Sequence, residues 1–191
     1  MKKLLLVICA MLSLNVLTAQ KNVLLEEITG TWCNNCPSGI YYIDSLHHTY
    51  DNVIAIAVHT DWPTQKDPMS YQEYAEKTKL TSAPSANIGR RYTAKNTSEW
   101  FQFVEEEMSQ QPKANVSVAT SFDEESRLLT AVITVTAIEN LEGSYTVSGV
   151  VCEDAVTGTS AAYNQANVYA QYAYYPMGGF ENMPDPIPAN R

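Results

Sequence analysis

The sequence predicts an α/β domain followed by a β-rich segment, and two observations support this prediction. Between residues 23 and 58, an apolar strand, a helix that begins at Pro37 and a second apolar strand follow one another with short connections. Beyond Pro112, apolar residues alternate with polar ones, which is typical of half-buried strands. We therefore place the α/β domain at residues 20–112 and the β-rich segment at residues 113–191.

Residues 1–19 predict a secretory signal peptide. Lys2 and Lys3 precede an apolar run from Leu4 to Leu17, and Ala19 supplies the small residue that precedes cleavage. The run is too short to remain in a membrane as a span. We expect an exported protein in the periplasm or the cell envelope, with outer-membrane association as one option.

The charge of the chain excludes one class of partner. Without Lys2 and Lys3, ten Lys and Arg residues face 21 Asp and Glu residues, which leaves a net charge of −11. A surface this acidic repels phosphate backbones, so we expect no nucleic-acid partner.

A local sequence pattern predicts each strand and helix of the α/β domain. Val23–Thr29 and Val53–Val58 are nearly continuous apolar runs, which suit burial on both faces of a parallel sheet. A short strand–helix–strand connection predicts that the two strands run parallel. The helix between them has an apolar face at helical spacing, formed by Ile40, Ile43, Leu46 and Tyr50.

Three more elements follow before residue 112. Asp67-Pro68 predicts a helix start, because a capping side chain precedes a proline at the first helical position. Ser85–Tyr92 predicts a strand that Gly89 weakens. Ser98 predicts the cap of another helix, with Phe101, Val104 and Met108 on its apolar face.

The β-rich segment contains three alternating runs, at residues 116–122, 129–135 and 145–152, with turns at 123–125 and 140–143. They predict a meander or part of an all-β sandwich. A sandwich usually has about seven strands, so this one is either incomplete or completed by irregular strands of the tail.

The motif Trp32-Cys33-Asn34-Asn35-Cys36-Pro37 stands between the first strand and its helix. Cys33 precedes a helix N-terminus, where free N–H groups and the helix dipole favour negative charge. Such positions lower the pKa of a thiol from about 8.5 to roughly 3.5–7.5, and the thiolate is the reactive form. We predict a redox pair in which Cys33 is the accessible nucleophile and Cys36 resolves the mixed disulfide. This prediction requires Cys33 to be open to solvent.

Two further residues bear on this pair. After removal of a signal peptide three cysteines remain, and Cys152 is the one without a partner. It alternates with Val150, so we interpret it as a small buried apolar thiol. Glu27 shares a strand face with Leu25 and Val23, which predicts a partly buried carboxylate.

The order of strand, Trp-Cys-x-x-Cys, helix, strand and a later Ala-Pro before another strand resembles the thioredoxin-like layout. Residues Glu26–Pro37, Ala57–Thr60 and Ala83–Ser85 resemble more narrowly the 28-kilodalton outer-membrane-protein family. Those exported bacterial proteins have a thioredoxin-like domain followed by a β-rich domain. The likeness covers roughly residues 21–154.

The resemblance implies roles for particular residues. Pro84 would follow a cis peptide bond and face the cysteine pair, and the backbone at Ala83 and Pro84 would pair with a substrate strand. Independently of the resemblance, we interpret Trp32 as a packing and shielding residue beside the thiols rather than a catalyst, on the surface that binds the substrate. Glu27 would move the proton of the second thiol, although many thioredoxins have Asp there. No metal and no cofactor beyond the redox-active disulfide are implied, and the partners would be protein or peptide disulfides and a recycling protein.

Several alternatives stay open at this point. Cys33 and Cys36 can form a permanent structural bridge in a non-catalytic envelope scaffold, although so short a ring stabilises little. Zinc would need further ligands, and His47 and His48 are adjacent rather than spaced as a ligand pair. Glu27 can equally be an ion-paired carboxylate, and His59 a surface residue.

Overall fold

The computed structural model describes residues 21–62, 64–172 and 176–189, so the predicted signal peptide lies outside the described residues. The fold is mixed α/β. A four-stranded sheet with the order β2-β1-β3-β4 is followed by a separate two-stranded sheet. The strands of the first sheet are β1 Val23–Thr29, β2 Val53–His59, β3 Ser85–Ile88 and β4 Tyr92–Lys95. The helices are α1 Pro37–Thr49, α2 Gln72–Thr78 and α3 Trp100–Met108.

The sheet confirms the predicted crossover. β1 and β2 are parallel, with Val23 opposite Val53 and Thr29 opposite His59, and α1 connects them. β3 runs antiparallel to β1, and β4 antiparallel to β3. β1 is therefore an inner strand with a partner on each side, as its apolar sequence predicted.

One main core lies between this sheet, α1 and α3. Its wholly buried side chains include Leu25, Leu46, Ile88 and Trp100. A smaller cluster, in which Ile28, Val58 and Ala75 are buried, lies towards α2. Both clusters use the apolar positions of β1, so this strand holds the two halves of the core together.

Four predictions about these elements need correction. β2 is an edge strand rather than a strand buried on both faces, and Ile54 is half-exposed. The predicted strand 85–92 is two strands, because Gly89 and Arg90 have positive φ and turn the chain. Ser98 does not cap the third helix: it lies inside a 3-10 turn, Thr97–Glu99, which Asn96 caps through a capping box with Glu99 and which leads into α3. Ile40 of α1 is exposed, and Tyr42 packs on the core instead.

The start of α2 is the fifth correction. This helix begins at Gln72, five residues after Asp67. The carboxylate of Asp67 accepts the N–H of Met69 in a local turn and the N–H of Thr31 from a distant loop. Its oxygens are therefore committed to a tertiary contact and are not free to cap a helix.

The second sheet is a hairpin of β5 Ala114–Asp123 and β6 Leu128–Ala137 in continuous antiparallel register. Its apolar side chains are exposed on both faces, and Val116 is 64% exposed. The prediction of a third strand at Tyr145–Cys152 is wrong, since the described residues there form no ladder. The all-β sandwich is therefore not confirmed. Cys152 is exposed rather than buried, because the segment that carries it joins no sheet.

The tail returns to the α/β domain. Short 3-10 turns cover Ala161–Tyr163, Val168–Gln171 and Phe180–Asn182. Gly178 lies against the ring of Tyr41 on α1, where a Cβ would come within 2.7 Å of the ring. In the described part of the chain, no helix combines the length and apolar character needed to cross a membrane.

Candidate active site

The loop between β1 and α1 carries the cysteine pair. Cys33 and Cys36 form a disulfide with an S–S distance of 2.07 Å. The turn is closed by the Cys33 N–H, which donates to the Gly30 carbonyl, and by the Cys36 N–H, which donates to the Cys33 carbonyl. Pro37 is the first residue of α1, where the missing N–H costs no hydrogen bond. The predicted pairing and its place at a helix start are confirmed.

Trp32 fixes this loop to the end of β2. Its Nε1–H donates to the Thr60 carbonyl at 2.8 Å, and its ring stacks at a tilt on Trp62 with centroids 5.1 Å apart. Gly30 lies directly beneath the indole, since a Cβ there would be 2.4 Å from Trp32 Nε1. Any side chain at Gly30 would displace the Trp32 ring, which explains why this position is glycine.

Pro84 follows a cis peptide bond, as the resemblance implied. Ile28 lies opposite Ser85 in the antiparallel register of β1 and β3. Pro84 therefore precedes β3 next to the end of β1, where the cysteine loop begins. Ala83 is partly buried against the smaller apolar cluster. The structure thus brings the predicted substrate-binding residues Ala83 and Pro84 to the edge of the sheet that carries the cysteines.

A surface groove of about 470 Å³ opens at the same edge. It is lined by Ile28, Thr60, Asp61, Trp62, Lys66, Gln72, Leu80 and Thr81. Trp62, which sequence reasoning did not single out, is partly exposed here and supports the ring of Trp32. The available signal was its position among polar residues after a strand, the place where open α/β sheets bind ligands.

Glu27 is buried beneath α1. Its carboxyl group faces Gly39, where a Cβ would lie 1.9 Å from Oε1. Burial raises the pKa of Glu27 to about 8, and Oε1 has no hydrogen-bond partner among the described residues. Gly39 donates its N–H to the carbonyl of Cys36, so the acid lies at the first turn of the helix that Cys36 caps. Burial therefore favours the protonated form of this carboxyl group at neutral pH.

Glu26 shows the opposite behaviour one residue earlier, on the other face of β1. Its oxygens accept hydrogen bonds from Arg90 Nη2 at 2.8 Å and from the Tyr74 hydroxyl at 2.6 Å. Burial opposes ionisation, but these bonds and the charge of Arg90 outweigh it and hold the pKa of Glu26 below its ordinary value. Sequence reasoning marked only Glu27 as anomalous, and the structure shows that both carboxylates are buried.

Asp67 links the cysteine loop to β2. Its Oδ2 accepts the Thr31 N–H at 2.6 Å and lies 2.9 Å from Nδ1 of His59, while Oδ1 accepts the Met69 N–H. Burial would raise the pKa of Asp67, but the bonds from His59, Thr31 and Met69 lower it. His59 is thus a tethered, mostly buried side chain rather than a free surface residue. Together these contacts position the backbone two residues before Cys33.

The expectation that Cys33 is accessible is wrong for the disulfide form. Cys33 is 4% exposed and Cys36 is completely buried. A segment of the tail, Gln165–Val168, lies against the loop, and its Ala166 N–H donates to the Thr31 carbonyl at 2.8 Å. No sequence pattern near the cysteines predicts this contact, because the tail segment lies more than 130 positions away along the chain.

Comparisons with known proteins add little to this geometry. No family model matches the chain, and no curated protein matches it. The solved structures that resemble it include a structural-genomics protein of Agrobacterium tumefaciens, with a TM-score of 0.44 and 16% identity over 56% of this chain and 54% of that one. They also include HBP35 of Porphyromonas gingivalis, with a TM-score of 0.45 and 20% identity over 62% of this chain and 43% of that one. The chain thus spans about half of the first protein and less than half of the second.

Proposed function

We propose that this protein is an exported thiol–disulfide oxidoreductase with a thioredoxin-like domain, acting on protein or peptide disulfides. The observation that supports this best is the Cys33–Cys36 bridge at the start of α1. The position of Ala83 and Pro84 at the same sheet edge supports it further. When two cysteines three positions apart at a helix N-terminus are reduced, this position favours the thiolate form that disulfide exchange needs.

The proposed reaction begins with the reduced pair. The Cys33 thiolate attacks one sulfur of a substrate disulfide, the substrate S–S bond breaks, and the other substrate sulfur leaves as a thiolate. Cys36 then attacks Cys33 Sγ, forms the Cys33–Cys36 bond and releases the second substrate thiolate. Two electrons pass to the substrate, and the protein ends in the disulfide form. The same steps in reverse oxidise a substrate dithiol.

Glu27 is proposed to hold the proton that Cys36 gives up. A pKa of about 8 is close to the 8.5 of an ordinary thiol, so proton exchange between the two groups is nearly balanced in free energy. Trp32, Ala83 and Pro84 are proposed to receive the substrate beside the bridge, next to the groove lined by Trp62. No cofactor is needed, because the two sulfurs carry the electrons.

Reduction of insulin disulfides by dithiothreitol tests the proposal. We expect the wild type to accelerate it and Cys33→Ser to abolish the acceleration, since the nucleophile is gone. Cys152→Ser is the matched control, because Cys152 is an exposed cysteine outside the Cys33–Cys36 bridge and its loss should leave the rate unchanged. Wild-type protein that is no faster than Cys33→Ser would contradict the proposal.

A second candidate is a cell-envelope scaffold in which the bridge is structural. The burial of Cys33 favours it, since a buried sulfur cannot be attacked. If the bridge is only structural, the double variant Cys33→Ser/Cys36→Ser should unfold at a lower denaturant concentration and the wild type should show no exchange activity. Fractionation of cells and N-terminal sequencing of the mature protein test the proposed export and envelope location.

A further inference from the structure

A segment of the tail makes a regular set of hydrogen bonds with the cysteine loop. We name Gln165–Val168 the strap. The N–H groups of Ala166 and Val168 donate to the carbonyls of Thr31 and Asn34, at 2.8 and 3.0 Å. The Gln165 side chain donates from Nε2 to the Cys33 carbonyl at 2.9 Å. The acceptors lie on both sides of Cys33 and include Cys33 itself.

The strap is held from behind by the rest of the tail. Gln165 pairs with Ile187 through two main-chain bonds, of 3.0 and 2.7 Å. The Asn167 N–H donates to Asp185 Oδ1, and the wholly buried Asn167 side chain donates to the Phe180 carbonyl at 2.8 Å. Asn167 is therefore the anchor that keeps the strap in place.

The direction of these bonds alternates along the strap. Residues 166 and 168 point their N–H groups at the loop, and residues 165 and 167 point theirs at residues 185–187. This alternation is that of an extended strand laid between two partners. An added strand of this kind is a common way for a protein surface to bind an extended polypeptide, since the main-chain bonds supply affinity without regard to sequence.

We propose that the strap occupies the surface at which an extended polypeptide substrate meets Cys33, so that a protein disulfide reaches the bridge only after the strap has lifted. This inference rests on the proposed function and deepens it. The occupant it predicts is an uncharged or weakly charged extended chain, because the strap residues are Gln, Ala, Asn and Val and the loop offers carbonyl oxygens. The 4% exposure of Cys33 is then a property of the covered form.

The rate at which dithiothreitol reduces the Cys33–Cys36 bridge tests this cover. One thiolate of the reagent attacks Cys33 Sγ and Cys36 leaves as a thiolate; the second reagent thiol then closes its ring and releases Cys33, with two electrons transferred. The rate depends on how often the strap lifts. It does not depend on whether the protein is an enzyme.

Val168→Pro is the first variant. Val168 is the first residue of a 3-10 turn, a position that accepts proline, and the substitution removes the N–H that donates to Asn34. We expect reduction to accelerate about threefold to tenfold, the range expected for the loss of one main-chain bond. Val168→Ala keeps the N–H and should react at the wild-type rate.

Asn167→Ala is the second variant, because it releases the anchor while leaving the loop untouched. We expect an acceleration of about tenfold or more, since several hydrogen bonds are lost together. Asn182→Ala is its control, as Asn182 is exposed and, among the described residues, its side chain forms a hydrogen bond with Glu181 alone. Circular dichroism and thermal melting show which variants keep the native fold, and only those are compared.

The inference is overturned if natively folded Val168→Pro and Asn167→Ala are reduced at the wild-type rate, or if Val168→Ala accelerates as much as Val168→Pro. Its failure differs from failure of the proposed function. If insulin reduction is absent throughout but Val168→Pro still accelerates reduction of the bridge, the function fails and the cover stands. If wild-type insulin reduction is present and the strap variants change nothing, the cover alone fails.

Discussion

The strands of both sheets are rich in apolar residues, but the surroundings of the two sheets are very different. β1 lies between β2 and β3 and beneath α1 and α3, and most of its residues are buried. The β5–β6 hairpin has ten residue pairs and exposes apolar side chains on both faces. Apolar patterning therefore predicts that a strand forms. Whether the strand is buried depends on neighbouring strands and helices, which its own pattern does not specify. β1 has such neighbours, and the cysteine loop follows β1.

The largest expected effect contrasts one leucine from each sheet. Leu25→Ala removes a wholly buried side chain of β1 and should lower the free energy of unfolding by roughly 3 to 5 kcal/mol. Leu128→Ala in β6, where the side chain is 61% exposed, should change it by less than about 0.5 kcal/mol. Urea denaturation of both variants measures the difference. Equal losses would mean that the hairpin is buried against a partner and that the comparison fails.

The next largest effect is the pH dependence of stability that Glu27 causes, and its direction follows from the raised pKa. Its pKa is raised from 4.5 to about 8 in the folded protein, so between these values the native state holds a proton that the unfolded state has released. The contribution of Glu27 to stability is therefore greatest below pH 4.5 and falls as the pH rises to 8. By linkage this loss reaches roughly 4 kcal/mol at pH 8, and Glu27→Gln, which cannot ionise, should stabilise the protein by about that much relative to its effect below pH 4.5.

The measurement for Glu27→Gln is the free energy of unfolding at pH 5 and pH 8, compared with the wild type. The hairpin supplies the control, because Glu124 lies in the exposed turn between β5 and β6 and Glu124→Gln should be neutral at both values. A stability difference between Glu27→Gln and the wild type that is the same at pH 5 and pH 8 would contradict the raised pKa of Glu27.

For Glu26 we expect a smaller pH dependence of stability, in the opposite direction to that of Glu27. Its lowered pKa means that its contribution is present above pH 4.5 and is lost as the pH falls through the folded value. Glu26→Gln should destabilise the protein at pH 7 by about 1 to 2 kcal/mol, a modest cost because Arg90 is half-exposed to solvent. Arg90→Gln in the same denaturation series should reproduce the loss. If Glu26→Gln proves stabilising, the ion pair contributes nothing.

What the sequence predicted correctly was local. The start of α1 at Pro37, the extent of β1 and the Cys33–Cys36 pairing follow from adjacent residues, and the cis bond at Pro84 followed from a resemblance. The features it missed join distant positions. The Asp67 carboxylate accepts a hydrogen bond from the N–H of Thr31, 36 positions away. Asp67 makes this bond in place of the helix cap that the sequence predicted.

The errors in the second half have the same origin. Residues 145–152 are rich in Val, Thr and Tyr, as strands are, but a strand also needs a neighbour with free main-chain groups, and none pairs with this segment among the described residues. The strap has no apolar pattern. It contacts the loop through main-chain N–H groups that donate to loop carbonyls, and such bonds leave no signal in the sequence. As a result, the sequence predicted the position of the cysteines but not the exposure of Cys33.

The reduction potential of the Cys33–Cys36 couple tests the central claim most directly. Equilibration of the Cys152→Ser protein with glutathione buffers, followed by acid quenching and mass analysis of the alkylated thiols, gives its value. A redox pair with no cationic side chain in its loop should lie between about −270 and −180 mV. A value below about −300 mV would mark a structural bridge and contradict the account.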